Sequence, residues 1–172
     1  MREIQFQAVY KRLQAHYSLR HWEARRGPLE ELIFTVLSQN TSDTNTFRTY
    51  ARLASQFSSW EEVSNADVKE IAAAIKLGGL SQIKAPRIIN ILQAIQTERG
   101  NLDLSFLKSL PMDEAKVWLR KLPGVGPKTA ACVLLFSFGI PALPVDTHVH
   151  RVSKRLGLIH EKTSANRAHD DL

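Results

Sequence analysis

The sequence predicts an all-α fold, and three observations carry that prediction. Apolar residues recur at three-to-four spacing along nearly the whole chain. No stretch alternates convincingly as a half-buried strand would, and no internal repeat is found. Gly, Pro and N-capping residues fall between the periodic runs, where helices start and stop. With 172 residues, 44% of them hydrophobic, the chain is long enough for one compact domain or two small lobes with a real core.

The elements follow in order. Phe6, Val9, Tyr10, Leu13 and Tyr17 mark a first amphipathic helix. Residues 21–27 are a polar break ending in Gly27-Pro28, and Pro28 suits the first position of a helix because its missing N–H would be unpaired there. Leu29, Leu32, Ile33, Val36 and Leu37 share a face of that second helix. Residues 38–43 form a polar break. Phe47, Tyr50, Ala51, Ala54 and Phe57 predict the inward face of a third helix. Ser64 and Asn65 are N-cap candidates for a fourth, carrying Val68, Ile71, Ala72 and Ile75 up to Gly78-Gly79. A fifth spans 85–98, with Ile88, Leu92 and Ile95 inward and Gly100 as its stop. A shorter helix lies near 113–121. Residues 128–138 are almost wholly apolar, which predicts a central buried helix ended by Gly139 and Pro141. Asp146 can cap a last clear helix through Leu156, and Thr163 or Ser164 can cap the first turns of another. The chain ends at Leu172 without a polar tail, which suggests a fold truncated at its C-terminus.

Composition excludes several classes. A formal net charge of +6 and a pI of about 9.7 suit a polyanionic partner, although many small enzymes are basic. The single cysteine, Cys132, cannot pair within the chain and reads as a small buried side chain. No apolar run approaches the roughly 20 residues of a membrane span, and no apolar signal segment follows the N-terminus. His148 and His150 have no metal-site partners in the sequence, so no metal is expected.

The sharpest motif is the stretch 122–130, Leu-Pro-Gly-Val-Gly-Pro-Lys-Thr-Ala. One helix ends before it and another begins at Pro127. Gly124 and Gly126 leave no Cβ in the way of a ligand, and the new helix offers free N–H groups and a positive dipole end. The hairpin backbone at Gly124, Val125, Gly126 and Thr129 therefore suits a DNA phosphate, bound without sequence preference. The plain alternative is a tight turn between packed helices. Lys128 then stands in a first turn, where its charge opposes the dipole by about 0.3–1 kcal/mol. Three readings are open: a phosphate ligand, a nucleophilic amine, or a solvated surface lysine. Asp146, taken alone, reads as a helix N-cap.

Residues 122–131 together with Val145-Asp146-Thr147-His148 resemble the helix–hairpin–helix DNA glycosylase superfamily, and the endonuclease III group within it. Residues 37–43 resemble that group's first DNA-contacting loop, and Gly79-Leu80 with Lys84-Ala85 its second. The resemblance implies a two-lobe helical fold, with residues 22–140 as the larger bundle and residues 1–21 and 141–172 as a partial second lobe. It implies a damaged base flipped out of duplex DNA, attacked by Lys128 with Asp146 as the catalytic carboxylate. Asn40 or Gln39, with Leu80, would fill the hole in the stack, and His148 could reach a phosphate. The implied product is a Schiff base and then a strand break, the work of a bifunctional glycosylase and abasic-site lyase acting as a monomer on oxidised pyrimidines. It also implies a prokaryotic protein of the cytoplasm. The group's 4Fe–4S cluster needs four cysteines after the last helices; it is expected only if a further C-terminal segment supplies them. Two other functions fit the same motifs: a non-catalytic DNA-binding module and an oxidised-guanine glycosylase.

Overall fold

A computed structural model describes residues 2–17 and 22–172; the expected break at residue 21 begins outside the described residues. Every regular element among them is helical. In chain order these are α1 (Arg2–His16), α2 (Pro28–Ser38), α3 (Asp43–Gln56), α4 (Trp60–Asn65), α5 (Val68–Ala74), a 3-10 turn (Lys76–Gly78), α6 (Ser81–Arg99), a second 3-10 turn (Ser105–Ser109), α7 (Met112–Lys121), α8 (Pro127–Phe138), α9 (Thr147–Arg155) and α10 (Ala165–Asp171). The all-α expectation holds.

The core forms where the apolar stripes of α2, α6 and α8 meet. Leu32, Ile33, Val36, Ile88, Leu92, Val133 and Leu134 all lose their water contact there. α2 lies along α8, α5 and α4 lie on α6, and α7 folds back on α8. Cys132 is buried in α8, as its apolar neighbours predict. A second, separate apolar cluster holds Val145, Ile159 and Ala168 with Val149 against it.

The segment before α2 is strapped onto the bundle. The Trp22 indole N–H donates to Leu135 O at 2.9 Å, and Arg25 N–H donates to Phe136 O at 3.0 Å. Arg26 lies 3.6 Å over the Phe34 ring and pairs with buried Glu31 at 3.0 Å. Burial raises the Glu31 carboxyl above its usual range, and Arg26 opposes that. These contacts anchor the far end of α8, whose first turn carries Lys128.

Several boundaries and faces differ from expectation. The inward face of α3 is Thr46, Thr49 and Leu53 with Phe57, while Phe47, Ala51 and Ala54 are exposed. The two threonines disguise that face: Thr46 Oγ1 donates to Ser42 O at 2.9 Å and buries with its hydroxyl satisfied, while Thr49 Oγ1 is buried without a hydrogen-bond partner. α4 was not expected. Ser59 caps it by accepting from Glu62 N–H at 3.2 Å, while Glu62 reaches back to Ser58 N–H, a reciprocal capping arrangement. Ser64 and Asn65 therefore sit inside α4, and the N-cap of α5 is Asp67, accepting from Lys69 N–H at 2.7 Å. α6 begins at Ser81 and runs through Pro86, which lacks the N–H that an interior position would use. In α1, Phe6, Tyr10 and Leu13 stay about half exposed.

Candidate active site

Three segments meet at the start of α6: the α2–α3 loop, the turn before α6, and the α7–α8 hairpin. Lys84 and Arg87, three residues apart on α6, hold them. The Lys84 Nζ donates to Leu37 O at 2.7 Å and to Gly78 O at 2.9 Å. The Arg87 guanidinium donates to Gln39 Oε1 at 2.8 Å, and its side chain lies beside Gly124. Sequence reading missed both roles. The acceptors of Lys84 are partly, and that of Arg87 wholly, remote in sequence, so local spacing carries no signal of them; a lysine on an apolar helix face was the available hint.

The hairpin glycines differ in what they require. Gly124 has φ +73°, and a Cβ there would sit 2.6 Å from Arg87 Nε. Gly126 has φ −93°, which any residue adopts, and a Cβ there would meet nothing within 4 Å. Gly124 is thus demanded by the turn, whereas Gly126 leaves open space. The start of α8 has no side-chain cap, so first-turn N–H groups stay free to bind an anion. Val125 is buried and its N–H donates to Leu122 O at 3.1 Å; Thr129 is also buried. The Val125 N–H is thus already engaged, while Thr129, in the uncapped first turn of α8, could meet DNA only through its backbone N–H.

Asn40 and Leu80 share an unusual backbone. They are the non-glycine residues with positive φ among the described residues, at 53° and 51°. Asn tolerates that region; Leu does so at a cost of about 1–3 kcal/mol. Leu80 is also 48% exposed, so it is strained and unburied together.

Lys128 is exposed on the first turn of α8. Asp146 caps α9: its Oδ1 accepts from Val149 N–H at 2.7 Å and from His148 N–H at 2.9 Å. The Val149 bond chiefly holds the carboxyl below its usual range; burial opposes it, and the His148 N–H and the charges of Lys128 and His148 assist. Lys128 and Asp146 are therefore close enough to feel each other's charge. His148 is exposed, with its Nδ1 at 3.1 Å from the Arg151 guanidinium.

Burial pushes the Cys132 thiol up to about 11, which removes it as a nucleophile at neutral pH. A four-cysteine iron–sulfur cluster does not fit the residues of this chain. Cys132 is the one cysteine, and among the described residues no group of three His, Cys, Asp or Glu could hold a metal. No helix among the described residues is long and apolar enough to cross a membrane.

The chain is 43% identical over 82% of its length to a candidate DNA glycosylase of Arabidopsis thaliana, of which it covers 48%. It is 39% identical over 79% of its length to endonuclease III of Thermotoga maritima, of which it covers 60%. It thus spans about half to three-fifths of these curated relatives. Its fold matches a trapped endonuclease III–DNA covalent intermediate with a TM-score of 0.79 and 32% identity, covering 98% of this chain and 76% of that one. The family model for base excision DNA repair proteins matches residues 33–172, a span that includes the hairpin, Lys128, Asp146 and both loops tied by Lys84. This chain belongs to the HhH-GPD superfamily of base excision DNA repair proteins.

Proposed function

We propose that this chain carries the grip and the chemistry of a bifunctional DNA glycosylase, excising damaged bases, oxidised pyrimidines foremost, and then cleaving at the abasic site. The observation that carries the reading is Lys128 on the uncapped start of α8, within electrostatic reach of a carboxylate held ionised. The likeness to endonuclease III and to its trapped covalent intermediate with DNA supports covalent chemistry on DNA.

The protein binds duplex DNA as a monomer through the hairpin backbone, with Gly126 leaving room for a phosphate. The damaged nucleotide leaves the stack, at a cost least for a damaged or poorly paired base. Leu80 and Asn40, with Gln39 braced by Arg87, fill the gap. The Lys128 amine bonds to the sugar carbon as the bond to the base breaks, and the base leaves with the electron pair. Asp146 stabilises the positive charge on the sugar and takes the proton released by the amine. Ring opening gives a Schiff base, and elimination breaks the strand. In this reading residues 22–140 form the larger lobe, and residues 141–172 with the described residues 2–17 belong to a second. The separate cluster around Val145, Ile159 and Ala168 supports that division.

The test is a panel of duplexes, each with one lesion, incubated with the chain and with Lys128→Gln. Strand cleavage at oxidised pyrimidines by the chain, lost in Lys128→Gln while duplex binding persists, is the expected result. Equal cleavage by the variant would refute the role of Lys128. Preference for oxidised guanine would refute the lesion class alone.

A further inference from the structure

Lys84 is 2% exposed. Lysine is rarely buried so fully unless paired with a carboxylate, and among the described residues no ion pair involves it. Its partners are two backbone carbonyls instead. Leu37 O belongs to the last turn of α2, where helical carbonyls lack intrahelical donors. Gly78 O ends the 3-10 turn before α6. Three residues past Leu37 stands Asn40, and two past Gly78 stands Leu80, the pair in the left-handed region. One nitrogen atom thus bridges the roots of two loops that are 41 residues apart in sequence, from Leu37 to Gly78. Burial, and then the charge of Arg87, lower the affinity of the amine for its extra proton. A neutral amine still donates twice, so both carbonyls are served in either protonation state.

We propose that Lys84 is a positioning residue that fixes the spacing of the Asn40 and Leu80 loops, so that both residues enter one gap in the base stack. The proposal rests on the reading of those two residues as the wedges. The same two bonds keep Leu37 O and Gly78 O from being buried unpaired, so the lysine serves stability as well as spacing, and the test reads the spacing separately. Its two bonds hold the left-handed turn at Asn40 on one side of the gap and the strained backbone of Leu80 on the other. Arg87, one turn on, extends the same brace to Gln39 and to the hairpin at Gly124.

The test needs no catalysis. The probe is a duplex with a tetrahydrofuran abasic analogue and 2-aminopurine opposite it, whose fluorescence rises when it is unstacked. Lys84→Met keeps an unbranched side chain of nearly the same volume, one atom shorter, and removes the donor. Lys84→Gln, whose amide donor stops one atom short of the lysine Nζ and so cannot hold the same span, serves if the first variant does not fold by circular dichroism. The expected result is loss of the fluorescence rise and roughly tenfold weaker binding to the probe, with affinity for undamaged duplex unchanged. An unchanged rise would overturn the proposal, and so would equal weakening on both duplexes. Asn40→Ala and Leu80→Ala test the wedge reading separately. If they keep the full rise, that reading fails and the proposal with it. If they lose the rise and a folded Lys84 variant keeps it, only the positioning role fails. In a chain lacking both wedges, Lys84→Met should weaken probe binding no further, the non-additivity expected of residues acting as one unit.

Discussion

Asn caps a helix about as well as Asp, because both present an oxygen to the first-turn N–H groups. Asp146→Asn therefore separates two roles of one side chain. The cap on α9 should survive, leaving the melting temperature nearly unchanged. The lost charge should slow excision by about 100-fold or more under single turnover. Normal excision by a folded Asp146→Asn would assign the residue to the cap alone. The pH dependence follows from the depressed carboxyl. A carboxyl whose folded value is lowered contributes stability that is present above its unfolded value, about 3.9, and lost as pH falls through the folded value. Wild type should thus lose stability relative to Asp146→Asn only below about pH 4, as read by urea melts at stepped pH. Gly124 and Gly126 separate in the same manner. Gly124→Ala places a Cβ at positive φ and against Arg87, and should destabilise the chain by about 1 kcal/mol or more. Gly126→Ala should stay within about 0.5 kcal/mol of wild type yet weaken binding to every duplex alike, because its Cβ enters the space left for a phosphate. A sequence-selective loss would contradict that role.

α3 is the element whose face the structure reassigns, and mutation can read the reassignment directly. Leu53 is 0% exposed and Phe47 is 55% exposed. Leu53→Ala should cost about 2–5 kcal/mol in a urea melt. Phe47→Ala should cost less, about 0.5–1.5 kcal/mol, the worth of its ring contact with Phe34 at 5.1 Å. The reverse order would restore the face expected from periodicity. Long helices with an unbroken apolar stripe, α2 and α8 above all, were legible because burial sets their period. α4 was not, since six residues give too short a window for any period, and its Ser59–Glu62 cap was overlooked. The start of α6 was hidden because Pro86 reads as a helix boundary while it stands well inside the helix. The helix-start positions of Lys128 and Asp146 were legible because sequence context there is local. Lys84 and Arg87 were not, because Leu37 and Gln39 lie 47 and 48 residues away from them.

At the scale of the molecule, a net charge of +6 and the backbone grip proposed for the hairpin predict DNA affinity that falls steeply with salt. Each phosphate neutralised contributes about 0.9 to the slope of log affinity against log salt, and the slope should match for undamaged and lesion duplexes. On the proposed function, selectivity resides in the loops of Asn40 and Leu80 and in the chemistry of Lys128, which the bundle holds on three separate chain segments. Those segments converge because α6 ties two of them through Lys84 and Arg87, while α2 and the strap at residues 22–26 seat α8. The central claim is that this arrangement makes Lys128 the attacking group. Borohydride reduction of the chain on an abasic duplex, followed by digestion and mass mapping of the adduct, tests it most directly. A reduced adduct on the Lys128 side chain is expected; an adduct on another lysine, or none with a folded chain bound to the duplex, would rule out Lys128 as the attacking group.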